Sequence, residues 1–401
     1  MVDRIELSMI NAYNLTREYG SPLYVYDETI LRKRCKEIKE FLEYKYYVPS
    51  YSAKANSNIE LLKIIRSEGF TTDAMSIGEV ELELAAGFEP EEILFVSNNI
   101  SIEEMQYVVG KEILLSIDSL SQLELYGKIA PNSKVAVRLN PGIGAGHHKN
   151  VITGGKSKFG ILYENIPEIR KVAEKYGLII VGINQHIGSL FLDGNEYLQA
   201  SEKLLEAAMK FERLEFIDFG GGFGVPYHKQ ERRLDLKGLG KSLDELINNF
   251  LNQYNGKPII KVEPGRYIIA ECCQLLGTVM SDKINYGEKY VGTDVGFNVL
   301  MRPVLYDSYH EITTYTDEER TEKVTIVGNI CESGDILAKD RELPVLKTGD
   351  IIGVENAGAY GYSMASNYNG RLRPAEVLLT KASEKQLIRK RDTIKALLEQ
   401  I

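Results

Sequence analysis

The chain has 401 residues, 44% of them hydrophobic and 26% charged, with a formal net charge of −9. That length and apolar content support a large core divided over two domains, and the acidic balance argues against general affinity for nucleic acid. No stretch approaches the ~18 consecutive apolar residues of a membrane span. The opening MVDRIELSMINAYNL carries acids and lacks the apolar run of a secretory signal. The four cysteines, Cys35, Cys272, Cys273 and Cys331, form no CxxC pair. A reducing cytoplasm is expected, with no membrane partner.

In chain order, PLYVYD (22–27) is a strand, and 28–44 a helix that leads into the next segment. Short apolar runs then alternate with amphipathic stretches. Strands are expected at 48–53, 71–75, 92–97, 112–118, 134–139, 179–185, 214–219 and 258–262. Helical spacing lies between them, as in NIELLKIIRSEG (58–69) and GEVELELAAG (78–87). Eight strands with intervening helices match a (β/α)₈ barrel, an α/β fold. After about residue 272 the rhythm changes to QLLGTVMS, KYVGTDVG, HEITTYT, KVTIVGNI, DIIGVEN and AEVLLT. These read as a mostly β domain closed by the helical RKRDTIKALLEQI. The expected division is a barrel at 45–272 and a β domain made of 1–44 and 273–401.

Polar residues end many of the barrel strands. YSAKAN carries Lys54, TTDAMS Asp73, KVAVRLN Arg138, GINQHIGS His186 and Ser189, FIDFGGGFG Gly220, Gly221 and Gly222, and IIKVEPGR Glu263, Pro264, Gly265 and Arg266. Side chains delivered from strand C-termini are how a β/α barrel builds its active face. A lysine amine, an imidazole, a glycine loop of phosphate size and an acid suit pyridoxal 5'-phosphate, held by lysine as a Schiff base. On that reading the glycines, Ser189 and the backbone of Pro264, Gly265 and Arg266 cup the phosphate, with Tyr360 donating from the β domain. Glu263 faces the ring nitrogen, His186 stacks on the ring, and Asp73 and Arg138 support it. Each residue has a plainer alternative: Lys54 reaching solvent, the glycines making a tight turn, Glu263 paired with Arg266. His147 and His148, adjacent in PGIGAGHHKN, fit a solvated loop better than a metal site, and no metal is expected.

YSAKAN, HIGS, the triple glycine and EPGR resemble the signature of the fold-type III pyridoxal phosphate decarboxylases. RPVLY (302–306), CESGD (331–335) and GAYGYSMASNYN (358–369) narrow the resemblance to the diaminopimelate decarboxylases. It runs in order across nearly the whole chain. The resemblance implies decarboxylation of meso-2,6-diaminopimelate to L-lysine and carbon dioxide, the last step of lysine biosynthesis. It makes Lys54 the Schiff-base lysine, His186 part of the catalytic set, and Cys331 the acid that protonates the carbon after carbon dioxide leaves. It assigns Arg266, Arg302, Tyr306, Glu332 and Tyr360 to the substrate. Arg302 and Tyr306, four apart, share a face if RPVLY is helical, and an arginine fork suits a carboxylate. The resemblance further implies a homodimer with shared sites, Cys331 and Glu332 reaching across the interface.

The segment 141–161 and Leu190, which follows HIGS, depart from the form associated with that family. The segment is glycine-rich and reads as a mobile loop over the pocket. The rival readings are a decarboxylase of another basic or modified amino acid, a catalytically silent homologue that binds the cofactor, and a racemase on a related barrel. Arg302 and Glu332 disfavour the first, Lys54 with Cys331 the second, and CESGD with RPVLY the third.

Overall fold

The computed structural model describes residues 4–96, 98–146 and 148–399. The chain forms two compact units. One takes Cys35–Val225 with Arg232–Tyr267; the other takes the chain up to Arg34, Pro226–Glu231 and the chain from Ile268 onward. The helix Glu28–Lys39 therefore begins in one unit and ends in the other.

The first unit is an eight-stranded parallel barrel. Its strands are β1 (Tyr47–Ser52), β2 (Thr71–Ala74), β3 (Ile93–Phe95), β4 (Leu114–Ile117), β5 (Lys134–Asn140), β6 (Ile179–Asn184), β7 (Phe216–Asp218) and β8 (Ile259–Val262). Each pairs in parallel with the next, and β8 returns to β1 through Ile260↔Tyr47. All eight lie where the apolar runs of the sequence place them. Strands such as KVAVRLN are buried along nearly their whole length, because helices cover the barrel outside and side chains fill it inside.

The helices begin where capping chemistry directs. Asn58, Ser76, Ser101 and Ser119 each accept a backbone N–H in the first turn of the helix that follows, and Ser101 with Glu104 makes a reciprocal capping box. Inside the barrel, Leu94, Val96, Ala136 and Phe216 form a buried apolar cluster. Gly182 faces Phe216, whose ring fills the place a Cβ would take.

The other unit is built on a nine-stranded sheet. Its long central strand, Cys273–Asn285, pairs with Leu23–Asp27, Glu288–Thr293 and Ile351–Val354. Leu23–Asp27 also pairs in parallel with Ala375–Leu379. The helix Met9–Tyr19, which the sequence reading did not assign, supplies Ala12 and Leu15 to the core beside Leu23, Val25, Leu276 and Val377.

Candidate active site

Parallel strands bring their C-terminal ends to one rim, so residues far apart in sequence meet there. Lys54 lies two residues past the end of β1, in a single 3₁₀ turn Ala53–Ala55. Ala53 and Ala55 are fully buried while Lys54 is half-buried, so the turn points the lysine out of the packed wall. Its charge acts on Asp73, Glu79, His186 and Glu263, which fixes the amine among them.

The EPGR turn packs against this strand end. Ser52 Oγ donates to Asp73 Oδ2 at 3.2 Å and to the Glu263 carbonyl at 3.3 Å. A Cβ on Gly265 would press on Ala55 and Ser52 at 3.0 Å, so glycine lets the turn lie this close without displacing them. Glu263 N–H donates to the Gly220 carbonyl at 3.0 Å, locking the turn to the triple glycine. Gly220 and Gly222 have φ of +73° and +107°. A Cβ at Gly220, Gly221 or Gly222 would collide with the carbonyls of Gln185, Glu263 or Gly188 respectively. The result is a bare backbone cradle. Beside it Arg266 donates to Ser189 Oγ at 3.0 Å.

Burial sets the protonation states. It pushes the Asp73 carboxyl well above its ordinary value, with repulsion from Glu263 adding to this and Lys54 opposing it. Glu263 is raised by burial and then by Asp218. His186 is pushed well below its ordinary value by burial, then by the cations Lys54 and Arg138, so it is neutral. Its Nδ1 accepts the Gly221 N–H at 3.3 Å, which leaves the proton on Nε2. Arg138 is lowered by burial, against the pull of Glu263, Asp118 and Asp73.

Several contributors escaped the sequence reading. Phe159 lies under the Arg138 guanidinium, 4.6 Å from ring centroid to carbon. Asn140 ties the glycine-rich segment together, donating to the carbonyls of Gly155 and Phe159 at 2.9 and 2.8 Å. Thr153 Oγ1 donates to the His186 carbonyl at 2.8 Å, and Ala145–Gly146 pairs with Gly188–Ser189. The 141–161 segment, read from sequence as a loose cover, is thus bonded to the strand end that carries His186. Leu190 takes a left-handed φ of +66°, unusual for a branched residue. His148 Nδ1 accepts the Asn150 N–H at 3.1 Å; His147 lies outside the described residues.

The barrel offers what pyridoxal phosphate needs. Glu263 Oε1 and Asp73 Oδ1 are buried acceptors without a hydrogen-bond partner among the described residues. They stand beside a side-chain-free anion cradle and a half-buried lysine. A buried acceptor left unpaired is costly unless a donor arrives with a ligand.

Residues 28–270 match the family model described as "Pyridoxal-dependent decarboxylase, pyridoxal binding domain". The diaminopimelate decarboxylase of Methanothermobacter thermautotrophicus is 40% identical, over 97% of this chain and 93% of that protein. That of Escherichia coli K12 is 35% identical over 98% and 96%. The crystal structure of diaminopimelate decarboxylase from Helicobacter pylori complexed with L-lysine superposes with a TM-score of 0.90 at 33% identity, covering 97% and 99% of the two chains. This chain belongs to the diaminopimelate decarboxylase family.

The second unit holds the other residues that the family resemblance assigns. Arg302–Tyr306 is a short helix, so Arg302 and Tyr306 do share a face. The guanidinium of Arg302 is buried, lies 5.4 Å from the Tyr227 ring centroid and 5.8 Å from that of Tyr306, and donates to Ser308 Oγ at 3.1 Å. Cys331 and Glu332 are exposed on a loop. Asp335 holds that loop in shape by accepting the N–H groups of Phe297 and Ile330 at 2.7 and 2.8 Å. The Cys331 N–H donates to Asn369 at 2.8 Å. Tyr360 stands half-buried at a φ of +57°, between Gly358 and Gly361, where a Cβ would strike the Ile269 and Ala357 carbonyls.

Proposed function

We propose that this chain decarboxylates meso-2,6-diaminopimelate to L-lysine, releasing carbon dioxide as the last step of lysine biosynthesis. The observation that carries the reading is the meeting of Lys54, the orphan Glu263 oxygen and the glycine cradle on one barrel rim, in a chain related to diaminopimelate decarboxylases over nearly its whole length. Pyridoxal phosphate supplies the electron sink that loss of a carboxylate requires. Lys54 would hold it covalently through its amine. Glu263 would accept the ring N–H, and His186, a neutral imidazole pinned at Nδ1, would pack on the ring. Gly220, Gly221, Gly222, Ser189, Tyr360 and the Pro264–Gly265–Arg266 backbone take the phosphate. Asp73 and Arg138 support this set.

Arg266, Arg302, Tyr306, Glu332 and Tyr360 read the substrate. Arg302 suits the distant carboxylate and Glu332 the distant ammonium. The Cys331 thiol gives a proton to the carbon that has lost its carboxylate. Cys331 and Glu332 stand exposed on their own chain, which supports a homodimer in which each copy completes the other's site. Among the described residues no helix is long and apolar enough to cross a membrane, and we place the enzyme in the cytoplasm.

The test is a panel of amino acids offered to the purified protein with pyridoxal phosphate, followed by carbon dioxide release and product identity. Diaminopimelate is expected to turn over, with lysine and ornithine slower by roughly a hundredfold or more, because they leave distal polar groups unpaired. Arg302→Ala is expected to remove most of that preference and leave cofactor uptake intact. Equal turnover of lysine would replace this reading with that of a basic amino-acid decarboxylase.

A further inference from the structure

The barrel interior below the rim holds charge that the reading above does not use. Asp218, the last residue of β7, is fully buried. In the parallel register it stands opposite Lys261 of β8. Side chains two apart on a strand share a face, so Lys261 points with Glu263 and Asp218 with Phe216. The contacts agree: the Lys261 ammonium lies 5.3 Å from the centroid of the Phe216 ring, which belongs to the barrel's interior cluster.

We infer that Asp218 and Lys261 are positioning residues for the decarboxylation, a charge pair across β7 and β8 that keeps the Glu263 carboxylate a strong proton acceptor toward the cofactor's ring nitrogen. The inference rests on the cofactor reading of Glu263. Three observations support it. Asp218 Oδ1 accepts the Gly220 N–H at 2.8 Å, and the Gly220 carbonyl accepts the Glu263 N–H at 3.0 Å. One glycine thus ties Asp218 to the Glu263 backbone. Asp218 Oδ2 and Glu263 Oε1 are both buried with no donor among the described residues, and the two carboxyls become hydrogen-bond partners of each other when one of them holds a proton, which favours the proton on Glu263. A buried carboxylate needs a nearby cation, and Lys261 is the one in register with Asp218.

The charged and titratable groups acting around Glu263 are Lys54 past β1, Asp73 on β2, Arg138 on β5, Asp218 on β7, Lys261 on β8 and Tyr197 on the helix Asn195–Ala208, while neutral His186 past β6 lies near Lys54 and Arg138. The two cations nearest the rim, Lys54 and Arg138, lower the proton affinity of Glu263; burial and Asp218 raise it. Asp218 is itself raised by burial, while Lys261 draws it back toward ionisation. An ionised Asp218 makes Glu263 the better base. Without Lys261, only the Gly220 N–H still draws Asp218 toward ionisation, so Asp218 holds a proton more readily and that effect weakens.

The experiment compares holoenzymes of Asp218→Asn, Lys261→Met, Lys261→Arg and the double variant Asp218→Asn/Lys261→Met. The bound cofactor's visible absorption is titrated with pH, beside kcat against pH and the melting midpoint. Asp218→Asn and Lys261→Met are expected to lose about tenfold or more in kcat, roughly 1.4 kcal/mol. The alkaline midpoint of the absorption band should fall by about one pH unit, because a weaker acceptor releases the shared proton sooner. Lys261→Arg should stay near wild type. The double variant should match Asp218→Asn alone, since Lys261 acts through Asp218. If Asp218→Asn does not fold, the contrast between Lys261→Met and Lys261→Arg decides. Variants that carry the cofactor with unshifted spectra, or a double variant whose losses simply add, would overturn the inference. A wild-type protein that takes up no cofactor at Lys54 would overturn the functional reading, and this inference with it.

Discussion

Asp73, Arg138 and Glu263 of the barrel are buried, and the backbone or side chains of neighbouring strands hold the residues around them at hydrogen-bond distance. Cys331 and Glu332 of the β unit stand exposed, on a loop whose order comes from Asp335 and Asn369 and not from packing of their own side chains. The first group sits in a low-dielectric setting where protonation states are set in advance, which is what stabilisation of developing charge requires. The second is held in shape but not desolvated by its own chain. The comparison teaches that the barrel can prepare a cofactor site by itself, whereas the proposed acid needs something to cover it.

Removing Lys54 breaks the barrel side of the comparison and carries the largest expected effect. Lys54→Ala should lower kcat/KM by several orders of magnitude, each factor of ten worth roughly 1.4 kcal/mol. Borohydride reduction followed by peptide mapping should trap the cofactor on the Lys54 peptide of the wild type and on no peptide of the variant. Folding should survive, because Lys54 is half-buried between two alanines that do the packing. A reduced cofactor found on another lysine would end the assignment.

Mixing subunits sharpens the other side. Lys54→Ala and Cys331→Ala, each inactive alone, should regain activity when their subunits exchange in a dimer with shared sites. A mixed dimer has one site with both lesions and one with neither. Half the dimers are mixed at random exchange, so recovery is limited to about a quarter of wild type. The readout is carbon dioxide release after exchange has been verified by mass. Exchange without any return of activity would mean that Cys331 serves its own subunit or is not the acid.

The same contrast explains what the sequence disclosed. The eight barrel strands were legible because parallel strands buried on both faces are continuous apolar runs. Lys54, the glycines and Glu263 stood out as polar or bare positions ending those runs. The strands Ile336–Pro344 and Lys385–Arg389 were missed because ILAKDRELP places the charged KDRE run between its buried apolar residues, without a clear period, and KQLIR is largely exposed. Asp218 lay in plain view before the glycines, yet its partner Lys261 lies on the next strand, and only the register joins them. The stacking of Phe159 under Arg138 and the Asn140 bonds that pin segment 141–161 likewise depend on backbone geometry that residue types do not announce.

Glu83 gives the smallest effect and tests whether burial governs the barrel's carboxyls away from the rim. It lies on the helix Ile77–Ala85, fully buried, with Thr72 Oγ1 donating to Oε1 at 3.1 Å and Oε2 without a partner among the described residues. Burial pushes its carboxyl from 4.5 up to about 9, Asp73 adding to the shift. A raised folded pKa means that the native state holds the proton more tightly than the unfolded chain. Its stabilising contribution is therefore complete below pH 4.5 and is lost as the pH rises toward about 9. Each pH unit inside that window costs up to roughly 1.4 kcal/mol. Glu83→Gln removes the titration while keeping the shape and the acceptor for Thr72. Its melting midpoint should equal that of wild type near pH 4.5. It should then exceed the wild type by roughly 4–8 °C at about pH 6, where about 1.5 pH units of the window correspond to roughly 2 kcal/mol at about 2–4 °C per kcal/mol for a unit of this size. A difference that stays constant with pH, or that favours the wild type at alkaline pH, would show Glu83 to be ionised in the folded barrel.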